Sequence, residues 1–331
     1  MIQNGESAVY YEKPADPAAG EKKYVRRAGN AIGITCIAIS VIFRYWYVGI
    51  LFVTTRLGIS QEAVLKTLRN NGIQQLVQVV VSTVCFIFPF MIAAKALNVS
   101  VSGSLPFKMK KKGVFWPYLF LGLAFCAFAN ISLSSAARVF EWLGFSYNMP
   151  AESLPTGALG FLLYLISTAV VPAMAEEFGM RGLTLGILRP LGDGFAIIGS
   201  AVVFGAMHGN FMQMPFTFAV GIVLAYIRIK TGSMLVCILV HGINNLAAVI
   251  LHYLEGVVST TAINVGYTVF LCVCLAIGFA GLRRIDKTDD LGIEPAATAS
   301  PEKKKFGWFV SAPGMIVFLS LEFIYALTWL F

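Results

Sequence analysis

Charged residues are scarce in this sequence. Asp, Glu, Lys and Arg make up 13% of its 331 residues, whereas 57% are hydrophobic. Soluble domains carry about twice that share of charge, and the mean hydropathy of +0.76 also departs from theirs. The composition excludes an ordinary soluble domain and indicates that lipid surrounds most of the chain.

The cysteines indicate neither disulfide bonds nor a metal site. The six cysteines all lie inside apolar runs and show no CxxC spacing. A disulfide framework or a zinc ribbon would place its cysteines in loops. We therefore interpret these cysteines as small residues that face lipid or the helix bundle.

The net charge of +8 does not indicate a nucleic-acid-binding protein, because the basic residues flank apolar runs. Lysine and arginine gather in the cytoplasmic loops of membrane proteins. If the N-terminus is cytoplasmic, most of them fall in the cytoplasmic loops 95–113, 182–194, 230–233 and 283–307. We predict a multi-pass protein of the cell membrane with a cytoplasmic N-terminus, membrane lipid as a partner and no nucleic acid.

Apolar runs long enough to cross a bilayer recur along the chain, and each crossing needs about 20 residues. The predicted spans are 31–53, 73–94, 114–137, 158–175, 195–208, 213–229, 234–251, 262–282 and 308–331. We expect an all-α polytopic bundle of about eight or nine transmembrane helices around a polar intramembrane cavity. Its expected parts are a tail (1–30), N-terminal helices (31–137), core helices (155–252), a helix (262–282), a flexible linker (283–307) and an appended helix (308–331).

Two adjacent carboxylates, Glu176 and Glu177, end the fourth predicted span. Adjacent side chains on a helix point about 100° apart, so the two carboxylates have different surroundings. Glu177 can pair with Arg181 at i+4, which leaves Glu176 to face the bundle interior as a general acid or base. Pro172 should kink the helix and free the carbonyl of Thr168. The alternative is a solvated carboxylate pair at a cytoplasmic helix end.

The fifth and seventh predicted spans carry histidines. Phe204 lies one turn before His208, and His241 shares a helix face with Asn245. Two neutral donors on one face can stabilise an oxyanion. The alternative is hydrogen bonding between helices, which is common for histidine and asparagine in membrane bundles. Span counting also places Glu176 near the cytoplasmic side and His208 toward the opposite end of its short helix.

These three segments together resemble the CAAX-protease and bacteriocin-processing family, also called Abi, of intramembrane glutamic endopeptidases. The family signature is EExxxR, FxxxH and HxxxN or HxxxD on successive helices. It is matched here by Glu176, Glu177, Arg181, Phe204, His208, His241 and Asn245. The resemblance covers about residues 155–250 and includes the type II CAAX prenyl endopeptidases.

The resemblance implies a role for each of these residues. Glu176 would activate water with the help of His208, and His241 and Asn245 would stabilise the oxyanion. Glu177, Arg181 and Phe204 would support the site. The implied substrate is a membrane-associated peptide or a lipidated protein, with or without a prenyl group.

Other functions fit the same residues. Two histidines and a glutamate can bind zinc, but the sequence has no HExxH motif, so we disfavour zinc and expect no cofactor. A non-catalytic bacteriocin-immunity or scaffolding protein would use the polar residues to hold helices together. A proton-coupled transporter would use them as a relay, although we find no internal repeat of the transporter kind.

Overall fold

The computed structural model of the chain describes residues 16–68, 71–109, 113–144, 154–155, 157–255, 257–285, 293 and 297–328. The regular structure in these ranges is helical, as predicted. The helices are α1 (Pro17–Arg56), α2 (Gln61–Leu68), α3 (Asn71–Ala96), α4 (Val101–Ser104), α5 (Phe115–Trp142), α6 (Gly157–Leu191), α7 (Asp193–Met207), α8 (Gln213–Thr231), α9 (Met234–Leu254), α10 (Thr260–Ile285), α11 (Glu302–Val310) and α12 (Pro313–Leu327).

Seven helices in the described ranges are long and apolar enough to cross a membrane, namely α1, α3, α5, α6, α8, α9 and α10. The pair α11 and α12, bent by 70°, could form an eighth crossing. The predicted span 195–208 corresponds to α7, which has only 15 residues. At 1.5 Å per residue α7 is about 22 Å long, shorter than a hydrocarbon core of about 30 Å. The expectation of a full crossing there is wrong.

Helix α6 is much longer than the predicted span 158–175. It runs for 35 residues to Leu191, so most of the predicted cytoplasmic loop 182–194 is helical. Two stretches of α6 are π-helical, Ile166–Val170 and Phe178–Thr184. Such stretches widen a helix locally and recur at functional sites. Because the apolar run ends at the two glutamates, the sequence alone places the boundary too early.

The turn at Gly192 sets α6 and α7 side by side. Gly192 has a φ of +119°, a backbone conformation that glycine adopts without steric penalty. Glu176 precedes Gly192 and His208 follows it by the same 16 residues. An antiparallel pair of helices therefore brings these two positions to a similar level, which removes the conflict that span counting produced.

Two apolar clusters form the core of the bundle. One joins α1, α3, α6, α7, α11 and α12, the other joins α5, α9 and α10, and α8 contributes to both. All six cysteines are free, and five of them are buried, which agrees with the bundle-facing role predicted for them. Cys272 is the exposed one.

The C-terminal segment packs against the first helix rather than standing apart from the bundle. It begins at Glu302, inside the predicted linker and six residues before the expected start at Trp308. The backbones of α1 and α12 touch where Gly33 meets Gly314, since a Cβ on Gly33 would lie 2.4 Å from Gly314. The Gly314 N–H also donates to Asn30 Oδ1 at 2.9 Å. Small residues permit such close helix crossings in membranes.

Candidate active site

The two adjacent glutamates have different surroundings, as their positions on the helix predict. Glu177 is fully buried, and its Oε1 atom accepts a hydrogen bond from Arg181 Nη1 at 2.9 Å. The predicted ion pair between Glu177 and Arg181 is therefore present. The Glu176 side chain is 20% exposed. Glu176 is thus the carboxylate of the two that small molecules can reach.

His241 lies between the two carboxylates. Its Nδ1 atom is 2.9 Å from Glu177 Oε1, and its Nε2 atom is 3.9 Å from Glu176 Oε2. A carboxylate can only accept a hydrogen bond, so Nδ1 carries the hydrogen in that contact. Glu177 therefore fixes both the orientation and the tautomer of His241 and directs Nε2 toward Glu176.

Arg181 fills the space beneath this cluster. It is 1% exposed, and its guanidinium group lies 4.2 Å above the centre of the Phe204 ring. Its Nη2 atom also approaches the carbonyl oxygen of Gly221 at 3.5 Å. The charges of Glu176, Glu177 and Arg181 add up to −1, so a proton on His241 would make the cluster neutral.

His208 lies at the C-terminal end of α7. Its Nδ1 atom is 2.9 Å from the Phe204 carbonyl oxygen, which can only accept, so Nδ1–H donates and Nε2 keeps a lone pair when the ring is neutral. The rings of His208 and His241 pack against the same Phe204 ring. The three sequence motifs thus meet at one place.

Phe204 is the common neighbour of these groups. Its ring packs edge to face against His208 at 5.0 Å and against His241 at 6.1 Å between centroids. The guanidinium group of Arg181 also lies over this ring. Phe204 therefore contacts both imidazoles and the guanidinium group.

Asn245 shares a face of α9 with His241 but has a different partner. Its Nδ2 atom donates to the Thr168 carbonyl at 3.4 Å. Pro172 lacks the N–H that would bond to this carbonyl in a regular α-helix. The predicted release of the Thr168 carbonyl is confirmed. The hydrogen bonds of the two side chains lead to different acceptors, Glu177 for His241 and the Thr168 carbonyl for Asn245.

A second polar chain extends from Asn245 into the bundle, and the sequence analysis did not identify it. Asn244 Nδ2 reaches Asn245 Oδ1 at 3.5 Å, and Asn130 Nδ2 donates to Asn244 Oδ1 at 2.9 Å. Asn130 Nδ2 also lies 2.7 Å from the Tyr267 hydroxyl oxygen. The available signal was a lone asparagine, Asn130, inside the predicted span 114–137.

Within the described ranges, no group of three or more His, Cys, Asp or Glu side chains is arranged to hold a metal ion. The Nδ1 atom of His241 is hydrogen-bonded to Glu177, and the Nδ1 atom of His208 is hydrogen-bonded to the Phe204 carbonyl. A zinc ion would therefore have to use the two Nε2 atoms together with Glu176.

Comparison with known families identifies the segment that carries this site. Residues 158–247 match the family described as Type II CAAX prenyl endopeptidase Rce1-like. The match spans a little over a quarter of the 331 residues and contains all seven predicted site residues. Comparisons with curated proteins and with solved structures gave no significant match. Residues 158–247, called the Rce1-like domain below, are therefore similar to the type II CAAX prenyl endopeptidases of the Rce1-like family, which are proteases.

Proposed function

We propose that the protein is an intramembrane endopeptidase in which Glu176 activates a water molecule to hydrolyse a peptide bond. The observation that carries the proposal is the cluster inside the Rce1-like domain. In it a partly exposed carboxylate, Glu176, faces the Nε2 atom of His241 at 3.9 Å. His208 packs against the same Phe204 ring as His241.

The spacing suits one water molecule. A water oxygen about 2.8 Å from each of two polar atoms fits between groups that are 3.9 Å apart. Glu176, assisted by the Nε2 lone pair of His208, takes a proton from this water. The water oxygen then forms a bond to the carbonyl carbon of the substrate, and the carbonyl oxygen becomes an oxyanion.

His241, in its protonated form, stabilises that oxyanion. Its Nδ1–H remains bonded to Glu177, so Nε2–H is the donor available to the substrate. The proton held by Glu176 or His208 passes to the amide nitrogen, and the C–N bond breaks. The products are a carboxylic acid and an amine, so the reaction consumes one water and needs no other reactant.

The other motif residues support these three. Glu177 and Arg181 form the buried ion pair that holds His241, and Phe204 contacts the two imidazoles. In this proposal Asn245 stabilises the opened turn of α6 through the Thr168 carbonyl. Its second amide hydrogen is the one that could still reach an oxyanion.

The proposed substrate is a membrane-associated peptide or a lipidated protein, prenylated or not. The site lies among apolar helices, so a substrate must enter through lipid or along the bundle. We place the N-terminus in the cytoplasm, because most basic residues then lie in cytoplasmic loops.

The test is a cleavage assay with purified protein in lipid vesicles. A peptide library that includes prenylated and unprenylated members is incubated with the wild type and with Glu176→Gln. Mass spectrometry then reports the products and the cleaved bond. We expect cleavage by the wild type and at least a hundredfold slower cleavage by the variant. Because Glu176 is partly exposed and makes no buried ion pair, the variant should fold normally.

Three outcomes would contradict the proposal. Cleavage by Glu176→Gln at the wild-type rate would rule out a mechanism in which Glu176 activates the water. Loss of activity with a chelator and recovery with zinc would favour the metal-dependent alternative. A cellular function that survives Glu176→Gln, without cleavage of any peptide by the wild type, would favour a scaffolding or immunity role.

A further inference from the structure

An ion pair with one fully buried partner lies outside the Rce1-like domain, between α1 and α12. Glu322 on α12 is fully buried, and its Oε2 and Oε1 atoms lie 2.5 and 3.1 Å from Nη2 and Nη1 of Arg44 on α1. Ser40 Oγ donates to Glu322 Oε1 at 2.5 Å. The guanidinium group also lies 3.7 Å above the Tyr325 ring. Ionised groups at membrane depth are costly, and they usually serve a function.

This ion pair contacts the loop that follows His208. A Cβ on Gly209 would lie 2.6 Å from Arg44 Nη2 and 2.7 Å from Glu322 Oε2. Gly209 also has a φ of +56°, a left-handed conformation that favours glycine. The ion pair therefore packs directly against the backbone of the residue next to His208.

A second contact fixes the same loop to α12. The rings of Phe211 and Phe323 pack edge to face, with centroids 5.3 Å apart. Because α7 ends inside the bundle, His208 depends on the loop 208–212 for its position. That loop rests on α12 at both Gly209 and Phe211.

The other end of α7 is also held by the C-terminal segment. Lys305 on α11 is fully buried, and its Nζ atom donates to the Leu191 carbonyl, just before α7 begins, and to Thr298 Oγ1. The C-terminal segment thus contacts α7 at its start and at its end. This arrangement differs from that of an appended anchor, which would touch the core only through apolar surface.

We propose that the Arg44–Glu322 ion pair is a positioning device for His208, so that the last helix is part of the catalytic unit. The catalytic importance of His208 rests on the proposed function; its placement by the ion pair rests on the contacts above. Both partners are positioning residues, because they act through Gly209 and the loop rather than on a substrate.

The chain has only three histidines, which makes the proposal directly measurable. The protein is prepared with isotope-labelled histidine, and the three ring resonances are assigned with His241→Gln and His252→Gln. The test variant is Glu322→Gln. The matched control is Glu141→Gln, because Glu141 is exposed near the end of α5. We expect Glu322→Gln to move or broaden the His208 resonance and to leave that of His252 unchanged.

Glu322→Gln leaves the partly buried Arg44 without its charged partner. If this variant fails to fold, the double variant Arg44→Met with Glu322→Leu replaces it. Apolar replacement of both members of a buried ion pair often preserves stability. In the folded variant, kcat for the peptide should fall about tenfold to a hundredfold. KM should stay within about twofold, because a mispositioned His208 affects the chemical step more than binding.

The outcomes separate the two proposals. An unchanged His208 resonance in a folded variant would overturn the positioning proposal, as would an equal loss of activity in Glu141→Gln. A wild-type protein that cleaves no peptide would overturn the proposed function instead. The resonance experiment would then still decide whether Arg44 and Glu322 position His208.

Discussion

The Oε1 atom of Glu177 lies 2.9 Å from the Nδ1 atom of His241, although 64 residues separate them in the sequence. The same oxygen also accepts a hydrogen bond from Arg181. A fully buried carboxylate thus joins the first and third motifs and decides which nitrogen of His241 faces Glu176. The remaining oxygen of Glu177, Oε2, is buried and has no hydrogen-bond partner among the described residues.

This relationship predicts opposite effects for two adjacent substitutions. Glu177→Gln removes the charge that pairs with buried Arg181 and should lower the free energy of unfolding by about 3 kcal/mol or more. Glu176→Gln should change stability little and abolish cleavage. Thermal unfolding in detergent and the peptide assay measure the two effects. Equal stability of the two variants would show that the Glu177–Arg181 pair does not support the fold.

Phe204 offers a test of the spacing between the histidines. Phe204→Leu keeps an apolar side chain but removes the ring edge and face that contact His208, His241 and Arg181. We expect kcat to fall about tenfold or more. The matched control is Phe86→Leu, because Phe86 is also buried and packs against Phe43 on α1. Comparable losses of kcat in both variants would mean that general packing, rather than spacing, is responsible.

The variant Asn245→Ala tests whether Asn245 stabilises the oxyanion or only the structure. Asn245→Ala leaves the Thr168 carbonyl without its side-chain donor and should lower the free energy of unfolding by about 1–3 kcal/mol. Its kcat should fall less than tenfold, whereas His241→Ala should lose about a hundredfold to a thousandfold. Unfolding curves and initial rates of both variants provide the comparison. A loss of kcat in Asn245→Ala as large as in His241→Ala would restore the oxyanion role.

Local relationships in the site could be predicted from the sequence, because they depend on helix periodicity and on proline chemistry. The pair Glu177–Arg181 follows from an i, i+4 spacing, and the freed Thr168 carbonyl follows from Pro172. The partner of that carbonyl, Asn245, lies on another helix. Periodicity carries no information about which helices are neighbours, so that contact could not be predicted.

The end of α6 and the role of the last helix were harder to predict for a physical reason. Charged residues usually mark the end of an apolar span, so the predicted span 158–175 stops before Glu176 and Glu177. Here Arg181 is neutralised by Glu177 inside the bundle, so the helix continues to Leu191. Arg44 and Glu322 are lone charges in two predicted spans, and their partnership depends on tertiary contacts.

The crossing of α1 and α12 gives a last prediction, which concerns the attachment of the C-terminal segment. Gly33→Ala introduces a Cβ that would lie 2.4 Å from the Gly314 backbone, so the helices must separate. We expect a loss of about 1–3 kcal/mol in stability, as for other overpacked interfaces.

Gly49→Ala is the matched control on the same helix, because a Cβ there meets nothing within 4 Å. In a helix interior, alanine is favoured over glycine by about 1 kcal/mol, so this control should be as stable as the wild type or more so. Thermal unfolding of both variants measures the difference. If Gly33→Ala is as stable as Gly49→Ala, α12 does not depend on this contact. Since Glu322 lies on α12, a true separation at Gly33 should also weaken the Arg44–Glu322 pair and reduce kcat, whereas Gly49→Ala should leave kcat unchanged.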